Sequence, residues 1–188
     1  MREGAQIKSN LADQTGSVTT KSLRFSPDLS GTEWKALGMP LASAVIKNST
    51  EEEISAPSAQ NVDNGIWFAR LKDNKTPEFV VDESTFGMAG LWAANGDTYT
   101  ISSEGAFEFK TLEDPAAPTE TGTFLMCSNP NTFTITLKQS AYILTTDGTS
   151  FEQEANPEIK PFQSFVLTDA KTLSTLRSLR IGDGVVTG

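Results

Sequence analysis

Apolar and polar residues alternate along much of this chain, and one segment shows the pattern without interruption. Over residues 132–138 the order is Thr-Phe-Thr-Ile-Thr-Leu-Lys. Side chains of a β-strand point alternately to its two sides, so Phe133, Ile135 and Leu137 share one face. The threonines and Lys138 share the other face. The pattern predicts a half-buried strand with its apolar face on a core and its threonines in water.

Two further pairs of segments predict strands that are joined as hairpins. Residues 98–102 and 106–110 both alternate, and the Ser-Glu-Gly between them predicts a turn. Residues 141–146 and 149–152 flank Asp147-Gly148, a dipeptide that favours a two-residue type I′ turn with positive φ at both positions. Further strands are expected at 66–71, 78–82, 87–94, 121–127, 162–168 and 178–181.

The segment 162–168 has apolar residues on both of its faces. Phe165 and Val166 are neighbours and point to opposite sides, so this strand is expected to be covered on both sides or to be central in its sheet. Pro161 is expected to open the strand, since a proline has no N–H to donate and is tolerated at a strand start.

Strands dominate the pattern, and turn residues recur about every ten positions. The chain is therefore expected to be all-β. The spacing predicts an antiparallel β-sandwich of jelly-roll or Greek-key type with about ten to twelve short strands. At most one short helix is expected, over residues 169–176, where Asp169 is a suitable N-cap and Leu173 and Leu176 fall on one face.

The length of 188 residues suits one domain or two small ones. Residues 1–20 lack periodicity and are expected to be extended or loose, and residues 21–188 are expected to form a single β-sandwich domain. The alternative is a pair of β subdomains divided near residues 113–119, a spacer that contains Pro115 and Pro118.

Composition and charge exclude several classes of function. The chain has no histidine, which removes Ser-His-Asp and Cys-His catalysis and any histidine-ligated metal. Its net charge of −9 opposes binding to nucleic acid or to an anionic membrane surface. The single cysteine, Cys127, lies in the apolar run Phe-Leu-Met-Cys, which is typical of a buried, unreactive thiol. No metal-binding or phosphate-binding motif is found, so neither a metal nor a cofactor is expected.

The three tryptophans are the candidate ligand-binding residues. Trp34, Trp67 and Trp92 carry the rings best suited to stacking on a sugar. Trp67 and Trp92 also stand in apolar strand segments, where a large aromatic residue is more often part of the core. A carboxylate pair of the glycoside hydrolase type is a further option, and the sequence singles out no such pair.

Four motifs follow one another in the C-terminal third: Ala-Tyr-Ile-Leu at 141–144, Asp-Gly-Thr-Ser-Phe at 147–151, Ile-Lys-Pro-Phe-Gln-Ser-Phe-Val-Leu at 159–167 and Arg-Ser-Leu-Arg-Ile at 177–181. Over about residues 120–182 the chain resembles the β-domain found at or near the C-terminus of secreted and cell-surface proteins of gut Bacteroidetes, among them leucine-rich-repeat and adhesin-like proteins. Gln-Ser-Phe at 163–165 stands where that family usually has Arg-Ala-Tyr. The resemblance implies export to the cell envelope and no known catalytic residues.

The expected function is therefore that of a non-catalytic accessory or adhesion-like domain of a bacterial envelope or secreted protein. Its partner would be a glycan or a surface protein, with no nucleic acid and no membrane insertion within this segment. Residues 1–6 contain no apolar stretch, so no export signal is expected there. A carbohydrate-binding module that uses the tryptophans is the alternative, and a carboxylate-based glycoside hydrolase is the second alternative.

Overall fold

The computed structural model describes residues 16–25, 33–38, 45–54, 66–75, 77–81, 90–94, 100–109, 115–129 and 133–181. Within them the chain forms fifteen β-strands and a single short helix, so the all-β prediction is confirmed. Several strands are two or three residues long, which raises their number above the ten to twelve expected. The elements are, in chain order, β1 (Gly16–Phe25), β2 (Lys35–Leu37), β3 (Val45–Lys47), β4 (Glu53–Ile54), β5 (Ile66–Leu71), β6 (Phe79–Val81), β7 (Gly90–Ala94), β8 (Thr100–Phe109), β9 (Phe124–Ser128), β10 (Ile135–Thr136), β11 (Ala141–Leu144), β12 (Ser150–Glu154), β13 (Glu158–Ile159), β14 (Ser164–Thr168), α1 (Ala170–Thr175) and β15 (Ser178–Arg180).

The described strands form three sheets and one ribbon, and their pairings are antiparallel. Sheet A has the strand order β1-β8-β3-β4, and sheet B has the order β2-β7-β5-β6. Sheet C has the order β15-β12-β11-β14-β9, and the ribbon pairs β10 with β13. Residues 16–20 of the N-terminal segment belong to β1, and residues 1–15 lie outside the described part of the chain.

Sheets B and C share one apolar core, as expected for two sheets packed face to face. Its buried residues come from both sheets and from the residue that precedes β2: Trp34, Ala36, Ala69, Phe79, Phe124, Tyr142, Phe151, Val166 and Leu179. The rings of Phe79 and Phe151 stack across the two sheets, with centroids 5.3 Å apart and planes 9° apart. This core joins residues from both sides of 113–119. Within that spacer, the Pro115 carbonyl accepts a hydrogen bond of 2.6 Å from the Gln139 side-chain amide.

The ribbon covers the opposite side of sheet C, and β14 is an interior strand of that sheet, between β11 and β9. All five residues of β14 are buried. Phe165 and Leu167 pack with Ile159 of the ribbon in a second core cluster, whereas Val166 belongs to the core shared with sheet B. The predicted coverage of both faces of this strand is therefore confirmed, and the alternation of its apolar residues is its cause.

The start of β14 differs from the prediction. Pro161 and Phe162 lie in a turn before the strand, where the Gln163 N–H donates to the Lys160 carbonyl at 3.1 Å. Phe162 has a φ of +59°, the conformation that the third position of a type II turn requires and that glycine usually supplies. Hydrogen bonds to Asn129 and Gly38 hold the backbone of Phe162 in this turn, so the strand begins at Ser164.

The predicted turn at 103–105 is wrong, because β8 continues through these residues and pairs with β1 along its length. The alternation keeps the same phase from Ile101 to Phe107, which is what one uninterrupted strand requires. Gly105 lies opposite Thr20, at the point where the register of β1 shifts. A glycine inside a strand commonly accompanies such an irregularity, and here it marks a bulge rather than a turn.

The hairpin of β11 and β12 is confirmed, but its turn is of another type. Gly148 has a φ of +69°, and its N–H donates to the Thr145 carbonyl at 2.9 Å. Asp147 is not at positive φ, so the turn is not type I′. Its carboxylate instead accepts hydrogen bonds from the threonines on either side of the turn. The loop therefore has four residues, closed by the Thr145 N–H donating to the Ser150 carbonyl at 2.8 Å.

The alternating segment 132–138 forms a much shorter strand than predicted, because only two of its residues pair in β10. Leu137 is fully buried and Ile135 is half-buried, as their shared face predicts. Phe133 is 46% exposed, so its predicted burial is wrong. It precedes the ribbon, and the second core cluster contains Leu137 and Ile135 but not Phe133. Thr134 and Thr136 are exposed as predicted, and Thr132 lies outside the described residues.

Alanine substitutions along this face should therefore lower the free energy of unfolding by amounts that follow burial, most at Leu137 and least at Phe133. Leu137→Ala is expected to lower the free energy of unfolding by about 2–5 kcal/mol, since it leaves a cavity in the core. Ile135→Ala should cost less, and Phe133→Ala and the control Thr134→Ala should each cost under about 1 kcal/mol. Urea unfolding of the four variants measures the series. Equal costs at Phe133 and Leu137 would contradict the assignment of the core.

Candidate functional site

Trp34, the first of the three candidate tryptophans, is part of the core between sheets B and C. It is 7% exposed and packs beside Ala36 in the cluster that includes Tyr142 and Phe151. Stacking on a sugar needs one open face of the ring. In the folded chain Trp34 offers no such face, so it acts as a core residue.

Trp67 and Trp92 are on neighbouring strands of sheet B, β5 and β7. Trp92 is the register partner of Phe68 on one side and of Lys35 on the other. Because successive residues of a strand alternate between faces, Trp67 and Trp92 occupy register positions on opposite faces of the sheet. The position of Trp67 is on the same face as Ala69, a buried core residue. The three tryptophans therefore do not line up on one face of sheet B.

The thiol of Cys127 is held in a form with low reactivity. The residue lies in β9, half-buried against the second core cluster. Burial raises its pKa from 9.0 to about 11, because desolvation disfavours the thiolate. The thiolate is the nucleophilic form of cysteine. This geometry agrees with the expectation of a structural cysteine.

Asp169 is a buried carboxylate that organises the start of α1. Its side chain accepts hydrogen bonds from the Lys171 and Thr172 N–H groups at 3.0 Å each, as an N-cap does. Its second oxygen accepts from the Gly122 N–H at 2.8 Å, which ties the helix to the segment before β9. Hydrogen bonding, first of all with the Thr172 side chain, lowers the pKa of Asp169 from 3.8 to about 2. The predicted N-cap is confirmed.

Two exposed carboxylates are also engaged in turns. The Thr145 hydroxyl donates to Asp147 at 2.6 Å, and this bond is the main reason that the pKa of Asp147 is lowered. The Asn48 amide donates to Glu52 at 3.1 Å and is the first cause of the lowered pKa of Glu52. Both side chains are stabilised as anions. A general acid near neutral pH needs the opposite shift.

An open groove of about 290 Å³ lies between the end of β5, with the turn that follows it, and β9 at the edge of sheet C. Its lining combines polar and apolar side chains: Arg70, Leu71, Lys72, Asp73, Asn74, Phe124, Leu125 and Met126. The Phe124 N–H donates to the Asn74 carbonyl at 2.8 Å, and this hydrogen bond joins the two sides of the groove at one end. Leu125 is 43% exposed.

No known family, curated protein or solved structure matches this chain. The likeness to the Bacteroidetes surface domain therefore stays a hypothesis based on the motifs at 141–181. Among the described residues, no helix is long and apolar enough to cross a bilayer. In the same part of the chain, no three acidic or cysteine side chains converge as ligands of a metal ion.

The groove is the feature that reasoning from the sequence missed. The predicted strand at 121–127 includes the part of β9 that lines the groove. The segment Phe-Leu-Met-Cys-Ser at 124–128 has no charged residue, and this feature is visible in the sequence. What the sequence could not show is that β9 is the outermost strand of sheet C in the part of the chain that the structure describes. Strands inside a sheet often have no charged residue, whereas edge strands usually carry charged residues that prevent pairing with another chain.

The reactivity of Cys127 can be measured with a thiol reagent such as Ellman's reagent at mildly alkaline pH. A rise in pKa from 9.0 to about 11 reduces the thiolate fraction about a hundredfold, so the native protein should react at least that much more slowly than the urea-unfolded chain. Equal rates in the native and unfolded states would contradict the burial of this thiol.

The lowered pKa of Asp169 predicts how stability depends on pH. A carboxyl with a folded-state pKa of about 2 and an ordinary value of 3.8 stabilises the fold fully above about pH 4, and this contribution is lost as the pH falls towards 2. Asp169→Asn keeps an N-cap oxygen but presents an amide to the Gly122 N–H. Thermal melts should show a wild-type advantage at neutral pH that shrinks between pH 4 and 2. A gap that stays constant over this range would contradict the role of the charge.

Proposed function

We propose that this chain is a non-catalytic, adhesion-like or accessory domain of a bacterial cell-surface or secreted protein. The observation that supports the non-catalytic part of the proposal is that the carboxylates with a shifted pKa are stabilised as anions. Among the described residues, Glu52, Asp147 and Asp169 have lowered pKa values and accept hydrogen bonds within turns and a helix cap. A carboxylate-pair mechanism needs one acid whose pKa is raised, so these groups are suited to structure rather than to proton transfer.

The roles of the C-terminal motifs support the same proposal. Asp147-Gly148 forms a hairpin turn, Pro161-Phe162 forms the turn before β14, and Leu179 is buried in the core between sheets B and C. These residues have structural roles in the described fold, as the resemblance to an envelope β-domain implies. The buried Cys127 thiol adds no nucleophile.

The absence of catalysis is tested with the purified chain and a broad panel of chromogenic glycosides and esters. We expect no turnover above the buffer rate. Turnover that disappears when a single carboxylate is replaced by its amide would overturn the proposal. Location is tested separately, with an epitope-tagged protein expressed in its own host. The tag should be accessible to protease added to intact cells or be found in the medium, and a tag confined to the cytoplasm would overturn the proposed export.

Carbohydrate binding is the second candidate, favoured by one observation. One row of register partners crosses three strands of sheet B and consists of Lys35, Trp92 and Phe68. These positions are on the face of the sheet opposite to that of the buried residues Ala36 and Ala69. Trp92 and Phe68 are large aromatic residues, of the kind that can stack on a sugar ring, and their register positions are on the same face of the sheet. On a glycan array, Trp92→Ala should abolish any binding seen with the wild type. The matched variant Trp67→Ala, changed on the other face of the sheet, should keep the same glycan preference.

A further inference from the structure

Sheet A has apolar residues at the positions of one face and mostly polar residues at the positions of the other. Register partners in neighbouring strands share a face, and the register of β1, β8, β3 and β4 therefore sorts their residues. The positions of the first face, called the apolar face of sheet A, are occupied by Val18, Leu23, Phe25, Ile46, Ile54, Ile101, Phe107 and Phe109, together with small or hydroxyl residues. The second face has Ser17, Thr19, Arg24, Lys47, Glu53, Thr100, Ser102 and Glu108, with Val45 and Ala106. An antiparallel sheet with this division is expected to pack its apolar face on a core.

Sheet B, in contrast, has apolar residues at positions on both of its faces. One face contributes Ala36, Ala69 and Phe79 to the core shared with sheet C. The positions of the opposite face, called the outer face of sheet B, include Leu37, Ile66, Phe68, Val80, Trp92 and Ala94. Strands that are apolar on both sides are typical of sheets that are covered on both sides. The outer face of sheet B is therefore expected to have a cover.

The two charged residues at positions of the outer face are engaged with neighbours close to them in sequence. The Lys35 ammonium group pairs with Glu33 at 2.8 Å. The Arg70 guanidinium donates to the Leu71 carbonyl at 3.1 Å. Long basic side chains can extend along an apolar surface and keep their charged ends at its border. These two residues therefore do not prevent an apolar cover.

Short connections hold sheet A beside sheet B. Residues 95–99 join β7 to β8, and residues 38–44 join β2 to β3. The six Cα steps from Ala94 to Thr100 span at most about 20 Å, and face-to-face sheets lie about 10 Å apart. Such tethers give the two faces a high effective concentration, which favours the chain's own sheet over a second copy. The far side of sheet C is covered by the ribbon, so among the described sheets the outer face of sheet B is the apolar face that remains for sheet A.

We infer that the apolar face of sheet A packs on the outer face of sheet B, so that sheets A, B and C are stacked in this order. The row of Lys35, Trp92 and Phe68 then lies in an internal interface. Carbohydrate binding at this row needs an open face, so the stacking and the second candidate function exclude each other. The inference goes beyond the proposed non-catalytic function and does not depend on it.

Cysteine accessibility tests the stacking in the full chain. Cys127→Ala removes the natural thiol, and Phe68→Cys, Phe107→Cys or Glu108→Cys then introduces a single new one. Phe68 is at a position of the outer face of sheet B and Phe107 at one of the apolar face of sheet A, whereas Glu108 is the matched control on the polar face of the same strand. With Ellman's reagent, the thiols at 68 and 107 should react at least about tenfold more slowly in the native than in the urea-unfolded protein. The thiol at 108 should react at nearly the same rate in both.

A second substitution shows whether sheet A is the cover. Phe107→Asp places a charge at the apolar face of sheet A, which is costly in a packed interface. Combined with Phe68→Cys, it should raise the reaction rate of the thiol at 68 at least about tenfold. The matched change Glu108→Asp should leave that rate unchanged. Circular dichroism checks that each variant is folded, and the milder Phe107→Ser replaces Phe107→Asp if the latter does not fold.

Three results would overturn the inference. A thiol at 68 that reacts as fast in the native as in the unfolded protein would show that the outer face of sheet B is open. A thiol at 68 that is protected but is not released by either substitution of Phe107 would show that another segment covers this face. Protection at 68 and 107 that disappears on dilution would assign both faces to contacts with a second copy.

Discussion

Replacing Gly148 with alanine is expected to destabilise the protein by about 3–5 kcal/mol, whereas the same change at Gly122 should cost about 1–2 kcal/mol. Both glycines have positive φ, +69° and +77°, so both substitutions carry the strain of a left-handed conformation. A Cβ at Gly148 would lie 2.7 Å from the backbone N and O of Trp34. At Gly122 nothing lies within 4 Å of the added atom. Backbone atoms cannot rotate away as a flexible side chain can, so the hairpin and the start of sheet B would have to separate.

Urea unfolding of the two variants, compared with the wild type, measures this difference directly. Gly122→Ala is the matched control, because it imposes the same backbone strain without the collision. A Gly148 variant that remains unfolded in buffer while the Gly122 variant folds would agree with the expectation. Equal costs for the two variants would show that Trp34 does not press on the hairpin.

The change Asn129→Asp should cost about 3–5 kcal/mol at neutral pH, the range for an uncompensated buried charge. Asn129 is fully buried, and its side-chain NH₂ donates to the carbonyls of Phe133, Ile159 and Lys160 at 2.8, 3.0 and 3.1 Å. These bonds join the end of β9 to the ribbon and to the turn before β14. A carboxylate has nearly the same shape, but it would face the same three oxygens with a negative charge and no proton.

The pH dependence of this variant identifies the cause. Burial beside carbonyl oxygens raises the folded-state pKa of the introduced acid above its unfolded value of about 3.9. The penalty is therefore largest above the raised pKa and diminishes as the pH falls towards 4, where the neutral acid regains an O–H donor. Gln139→Glu is the control, since that amide donates to a single carbonyl, of Pro115, in a half-buried position. A penalty for Asn129→Asp that does not change with pH would contradict this explanation.

Alternation and capping signals in the sequence correctly predicted strands and a helix that are determined by residues close to one another in the chain. The expected strand at 66–71 coincides with β5, and the helix predicted within 169–176 is found at Ala170–Thr175 with Asp169 as its cap. Alternation and capping act between residues that are close in sequence, so the sequence alone contains the necessary information. The enclosed position of β14 followed from apolar residues on both faces.

The remaining features depend on contacts between distant parts of the chain. Phe162 adopts positive φ in a turn whose backbone bonds reach Asn129 and Gly38, and no local signal predicts those partners. Phe133 is exposed because it precedes the first paired residue of the ribbon, Ile135, although its alternation matched that of Leu137. The groove lies beside β9, which is the outermost of the described strands of sheet C. Strand order is a property of the whole topology, and a periodic pattern does not specify it.

Because β14 is enclosed, hydrogen exchange of its backbone amides can be used to measure the stability of the whole protein. Amide hydrogens on a strand that is paired on both sides and covered on both faces exchange with solvent deuterium through unfolding of the whole molecule. Val166 has register partners in both β9 and β11, Phe165 and Leu167 have register partners in β9, and all three residues are buried. The ribbon has two residue pairs and can open locally. Exchange rates along β14 therefore report the global free energy of unfolding without any denaturant, and those of the ribbon report how often the cover over sheet C lifts.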